Sequence, residues 1–199
     1  MRNLSERQLD LLQEVSNIGS GHAATALSQL LNRKILLQVP RVQTLPIAKV
    51  PEVVGGAEKL VAGLFFRIFG QAKGSILIIF PRDSALALIH HLLQKEPDAH
   101  SAFIEMEASA LKEVGNILAA AYLNAISQLI QMILIPSVPG LAFDMAGAVL
   151  DSVLIELGQE GDTALLVETE FISDSKITGH FFLLPDPESL RLILQVLNK

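Results

Sequence analysis

Leu11, Leu12, Val15 and Ile18 recur at helical spacing near the start of the chain, behind a well-formed start signal. Ser5 can cap, Gln8 can complete a capping box, and Leu4 occupies the hydrophobic-staple position. Gly19-Ser20-Gly21 is expected to kink or interrupt this helix, and the helical period resumes through HAATALSQLLN. Four extended runs follow, KILLQVP, RVQTLPIA, KLVAGLFFRIF and GSILIIFP, and then a helix over DSALALIHHLLQK.

After the polar connection QKEPDAHS the same order restarts. A long helix is predicted over roughly residues 102–130, then extended QMILIPSVP and a helix near FDMAGAVLDSVLIEL. Strands over ALLVETEFI and KITGHFFLLP and a final helix over PESLRLILQVLNK complete the chain. At an offset of 99, Leu12, Glu14, Val15, Asn17 and Ile18 meet Leu111, Glu113, Val114, Asn116 and Ile117. ALSQL meets AISQL and Val39-Pro40 meets Val138-Pro139, while at an offset of 104 PRDSALALIHHLLQK meets PDPESLRLILQVLNK. One unit therefore recurs from end to end. The expected fold is α+β, a pseudo-twofold tandem duplication with a mostly antiparallel sheet and helices packed on it. Two repeats, about residues 1–99 and 100–199, would make one domain.

Composition narrows the function. Half of the 199 residues are apolar, 18% are charged and the formal net charge is −6, which fits a folded chain with one substantial core. Basic residues are scattered, so nucleic acid is not expected as a partner. The absence of cysteine removes thiolate nucleophiles and thiolate metal sites. The polar start MRNLSERQLD has no secretory core, which suggests a cytoplasmic location. Residues 114–143 carry no charge, but Asn116, Asn124, Gln128 and Gln131 interrupt the run and Pro136 and Pro139 break it. A buried helix followed by an extended segment is expected there, not a membrane span.

The candidate chemistry lies on the two long helices. At about 100° per residue, Asp10, Glu14 and Asn17 fall within about 60° of one another. Leu11, Val15 and Ile18 centre about 105–110° away and are expected to face the core. Ser109, Glu113 and Asn116 form the same stripe in the second half. A solvated helix face would explain one such pair. However, Asn is a mediocre helix former, and both halves keep Glu, Asn and a downstream Pro in register. Neighbours at i,i+3 stand about 5–6 Å apart at Cβ, so each pair can grip one incoming group.

The full patterns are Asp10-x3-Glu14-x2-Asn17-x22-Pro40 and Ser109-x3-Glu113-x2-Asn116-x22-Pro139. They resemble the signature of the CheC, CheX and FliY family of chemotaxis phosphatases. Two intact copies without added flagellar-switch segments are most similar to its CheC-like branch. The resemblance implies phosphorylated response regulator CheY as substrate, with Mg²⁺ held by the regulator and no cofactor of the chain's own. It implies Asn17 and Asn116 orienting the attacking water, and Glu14 and Glu113 pairing with the regulator's active-site Lys. Asp10 and Ser109 would support the motif, and Pro40 and Pro139 would be structural. An Asn carboxamide suits the task, because it donates and accepts hydrogen bonds without acting as a strong base.

A second functional class stays open: a weakly catalytic binding module regulating the receptor deamidase CheD, which the resemblance also implies as a partner. Asp144 and Asp151, within the apolar run from Phe143 to Ile155, are candidates for that contact, and an ordinary amphipathic helix explains them as well. His22, His90, His91, His100 and His180 show no metal-ligand spacing, and Ser16, Ser20 and Ser28 no readable triad. Phe65-Phe66 and Phe181-Phe182 are expected in the core. GSGHAATA is not a phosphate-binding loop, because no strand precedes it. It gives the helix a place to bend or a partner backbone room to approach Asn17.

Overall fold

Helix α1 (Glu6–Leu31) begins at the predicted cap. The Gln8 N–H donates to Ser5 Oγ at 3.3 Å, and the Ser5 N–H donates to Gln8 Oε1 at 2.9 Å. The computed structural model describes residues 4–46, 49–94, 104–157, 163–173 and 177–197. Contrary to expectation, α1 passes through Gly19-Ser20-Gly21 without a break. Gly19 is needed there for packing: a Cβ on it would stand 2.8 Å from the Tyr122 ring.

The chain then runs β1 (Ile35–Pro46), α2 (Val50–Val53), β2 (Leu60–Gly70), β3 (Gly74–Pro81) and α3 (Arg82–Leu93). Its second half runs α4 (Glu105–Ile130), β4 (Leu134–Pro136), β5 (Gly140–Met145), α5 (Ala146–Leu157), β6 (Thr163–Ser173), β7 (His180–Pro185) and α6 (Pro187–Leu197). KILLQVP and RVQTLPIA fuse into the one strand β1. The expected helix near FDMAGAVLDSVLIEL starts late, because Phe143-Asp144-Met145 pair with β2 as the end of β5. The uncharged run is the end of α4 followed by β4 and β5, and among the described residues no helix is long and apolar enough to cross a membrane.

All described strands form one antiparallel sheet, ordered β1-β6-β7-β3-β2-β4, with β5 also on β2. The first strand of each half pairs with a strand of the other: β1 lies on β6, and β4 with β5 lies on β2. β3 and β7 meet in the middle. At the offset of 99, β1 (35–46) coincides with β4 plus β5 (134–145). The register slips by one residue at the same place in both. Gln38 faces Glu170 and Arg41 faces Glu168; Pro136 faces Ile68 and Gly140 faces Phe65. Val39-Pro40 and Val138-Pro139 occupy the slips. A proline has no N–H for the ladder and is tolerated at such a bulge on an edge strand.

The helix ends correspond as well. Asn32 and Gln131 close α1 and α4 in the left-handed conformation, at φ 48° and 53°. Ser28 Oγ accepts the Ile35 N–H at 2.9 Å, and Ser127 Oγ accepts the Leu134 N–H at 3.1 Å. Each hydroxyl pins the end of a long helix to the start of the next strand.

One face of the sheet carries the larger core, built from α1, α4, α3 and α6 against Leu64, Phe66, Ile76, Ile78, Phe80 and Phe181. The other carries α2 and the start of α5 over Val61, Leu77, Ile79 and Phe182. Strand alternation sends Phe66 and Phe181 to the first core and Phe65 and Phe182 to the second, as expected for the paired phenylalanines. Gly115 lets α4 settle on β2, since a Cβ there would meet Phe66 Cζ at 3.0 Å.

Candidate functional site

Asp10, Glu14 and Asn17 are exposed on α1, and Ser109 and Glu113 are exposed on α4, with Asn116 half-buried. The buried residues of α1 are Leu12, Val15, Ser16, Gly19, Ser20, Ala23, Ala24, Leu27 and Leu31. At about 100° per residue their centre lies about 130° from the polar stripe, on the other side of it from the centre of Leu11, Val15 and Ile18; Leu11 and Ile18 are only half-buried. The reason is that α1 packs against both β1 and α4, so its buried arc is wide and includes two serines. Ser16 satisfies its hydroxyl by donating to the Leu12 carbonyl at 2.7 Å.

Among the described residues no side-chain hydrogen bond or ion pair engages Asp10, Glu14, Asn17, Ser109, Glu113 or Asn116. Their polar atoms are available to an incoming group. Each helix brings its own Glu and Asn together at i,i+3, about 5–6 Å apart at Cβ. Among the described residues no hydrogen bond or ion pair joins one pair to the other. Pro40 lies in the bulge of β1, and Pro139 lies, half-buried, between β4 and β5.

Sequence reasoning missed Gln13. Its Nε2 donates to the Val39 carbonyl at 3.1 Å, which ties α1 to the bulge that contains Pro40. Gln13 precedes Asn17 by one helical turn, but nothing in that spacing signals a bond to a backbone carbonyl 26 residues away. The bulge of the second half is held differently. Ser137 donates its N–H to the Arg67 carbonyl at 2.8 Å, and its Oγ accepts the Arg67 N–H at 3.0 Å.

The remaining candidates lie away from the stripes. His180 Nδ1 is 3.6 Å from Glu168 Oε1 and its ring stacks on Phe182, while His90 and His91 adjoin each other on α3. His22 is exposed on α1, and His100 lies outside the described residues. Burial, then Arg33 and His90, lowers the His91 pKa. Among the described residues no three of His, Asp and Glu converge as a metal site. A groove of about 660 Å³ runs between the second half of α1 and β1, lined by residues such as Thr25, Gln29, Arg33 and Lys34, and includes neither stripe. Asp144 and Asp151 are exposed, with Ala146, Val149 and Leu150 of α5 turned into the second core.

A duplicated α+β sheet with one Glu–Asn pair on each long helix, exposed except for half-buried Asn116, defines the class, and the chain belongs to the CheC-like family. The family model matches residues 8–43 and 106–142, and each stretch contains one whole copy of the motif. A "CheY-P phosphatase CheC" from Bacillus subtilis is 40% identical over 98% of this chain and 96% of its own length. The "Flagellar motor switch phosphatase FliY" of the same organism is 30% identical over 57% of this chain and 30% of its own length. Crystalline FliY from Thermotoga maritima shares the fold, with a TM-score of 0.77 over 98% of both chains at 17% identity.

Proposed function

We propose that this chain is a chemotaxis phosphatase that hydrolyses the aspartyl phosphate of the response regulator CheY. The observation that carries the reading is the two Glu–Asn stripes without intramolecular partners, exposed except at half-buried Asn116, in a chain 40% identical to a protein named as a CheY-P phosphatase. A convex helix face suits insertion into another protein's active site.

In this mechanism Asn17 or Asn116 enters the regulator's phosphorylation site, and its carboxamide holds a water in line with the phosphorus. The water oxygen forms the new P–O bond as the bond to the aspartyl oxygen breaks. The carboxylate is regained and inorganic phosphate leaves carrying the water's two protons, one of which exchanges with solvent. Mg²⁺ held by the regulator neutralises the charge on the phosphoryl oxygens, so the chain contributes alignment. Glu14 or Glu113 pairs with the regulator's Lys and fixes the docking register. Asp10 and Ser109 support each stripe, and Pro40 and Pro139 shape the adjoining bulge. We place this activity in the cytoplasm, in one domain formed by both repeats.

The deamidase CheD is the proposed regulatory partner, with exposed Asp144 and Asp151 as its candidate contacts. Charge reversal at Asp144 should weaken binding to CheD; unchanged binding excludes that residue. The main reading is tested by following loss of phosphate from CheY with Asn17→Ala, Asn116→Ala and the double variant. If wild type does not accelerate the loss, with or without CheD, the chain is a binding module.

A further inference from the structure

We propose that Gln13 is a positioning residue of the first site, acting through the β1 bulge, and that the second site lacks this brace. The inference rests on the phosphatase reading, because it concerns how the regulator is received beside Asn17. Gln13 lies one turn before Asn17, about 40° round the helix on the flank of the stripe. Its amide reaches across to the Val39 carbonyl at 3.1 Å, over a sequence separation of 26 residues. The carbonyl belongs to the residue before Pro40, where the β1 ladder slips. A carbonyl at such a slip has no regular ladder partner to hold it, so a side-chain donor fixes its direction.

The second half breaks the correspondence at this point. Lys112 stands where Gln13 does, and among the described residues no side-chain hydrogen bond links it to Val138. Val138 is 87% exposed, whereas Val39 is 4% exposed and belongs to the larger core. The Val138 carbonyl accepts instead from Ser137 Oγ at 2.8 Å. The same one-residue slip is therefore locked inward to the catalytic helix in the first half. In the second it is fastened to β2, with its valine turned to solvent. The regulator meets a braced wall beside Asn17 and a more open one beside Asn116.

The test uses the full chain with the second pair removed by Glu113→Ala and Asn116→Ala. Gln13→Ala and the isosteric Gln13→Glu, which cannot donate to the Val39 carbonyl, are made in that parent. Two quantities are measured: dephosphorylation of CheY across a range of substrate, and affinity for beryllofluoride-loaded CheY. We expect both variants to raise KM and Kd about three- to tenfold, the effect of one lost hydrogen bond, with kcat held within about twofold. Unchanged KM and Kd in Gln13→Glu overturn the proposal, as does a fall in kcat alone, which marks a loss of folded protein. Wild type that binds loaded CheY without hydrolysing CheY phosphate overturns the phosphatase reading instead, and the brace is then read in the Kd of the parent. A parent that does neither, beside an active wild type, overturns the brace alone, because the first site then receives no regulator.

Discussion

The ring of Tyr122 fills the space beside Gly19: its Cδ2 and Cε2 lie 2.8 Å from where a Cβ on Gly19 would stand, and Ile126 Cγ1 lies 3.3 Å away. The two long helices meet through this contact, so the packing of the helix that carries Asn17 depends on a missing methyl group. Gly21, two residues on, has no atom within 4 Å of its would-be Cβ. We predict that Gly19→Ala destabilises the protein by about 1–3 kcal/mol, since the helices must separate or the ring must move. Gly21→Ala should be neutral or stabilise by up to about 1 kcal/mol through helix propensity. Urea unfolding of the two variants checks the contrast, and equal effects would refute it.

Tyr122 is the single tyrosine of the chain and is fully buried. Burial pushes its pKa above the ordinary value of 10.0, with a lesser opposing influence from Ser16. The phenol has no partner of full hydrogen-bond geometry, and the Ser16 proton is directed to Leu12. Unfolded tyrosine loses its proton near pH 10 and the folded form keeps it, so this residue's contribution is intact below pH about 10 and falls above it. Tyr122→Phe should retain stability or gain about 1 kcal/mol, because an unsatisfied hydroxyl is removed. In the wild type, tyrosinate absorbance should rise only together with unfolding.

Ser28 and Ser127 make a matched pair of predictions. Replacing either with Ala leaves a strand N–H, of Ile35 or Leu134, without its acceptor. Each substitution should cost about 1–2 kcal/mol, and the two costs should be similar. Chemical denaturation of both single variants measures this; no loss in either would show that water replaces the hydroxyl.

The repeat was legible because a duplication leaves identical residues at a fixed offset. Both long helices, β3 and the capping box at Ser5 and Gln8 were all read from residue spacing, whereas the short helix α2 was not. What spacing could not show was contact. Gly19 looks like a helix breaker until Tyr122, 103 residues later, is placed against it. β5 was hidden because Phe143 and Met145 suit a helix locally, and only pairing with Ala62 and Leu60 makes them strand. At the site, the stripe of Asp10, Glu14 and Asn17 followed from helical geometry. The brace from Gln13 to Val39 did not, because a backbone carbonyl leaves no mark in the sequence.

His91 offers a local probe of the far end of the molecule. Burial lowers its pKa first, with Arg33 and His90 adding to the effect. Arg33→Gln should therefore raise the pKa toward 6.5, as followed by NMR titration of the imidazole. Because the folded value is depressed, this group's contribution to stability is intact above pH about 6.5 and declines as pH falls below it. A His91 pKa unmoved by the substitution would exclude the coupling.

If each Glu–Asn pair is a working site, loss of aspartyl phosphate from a cognate CheY depends on both asparagines. Wild type, Asn17→Ala, Asn116→Ala and the double variant are compared after each is shown to be folded. We predict a partial fall in each single variant and loss of about a hundredfold or more in the double, as expected on removal of the group that aligns the nucleophile. A double variant as active as wild type would contradict it.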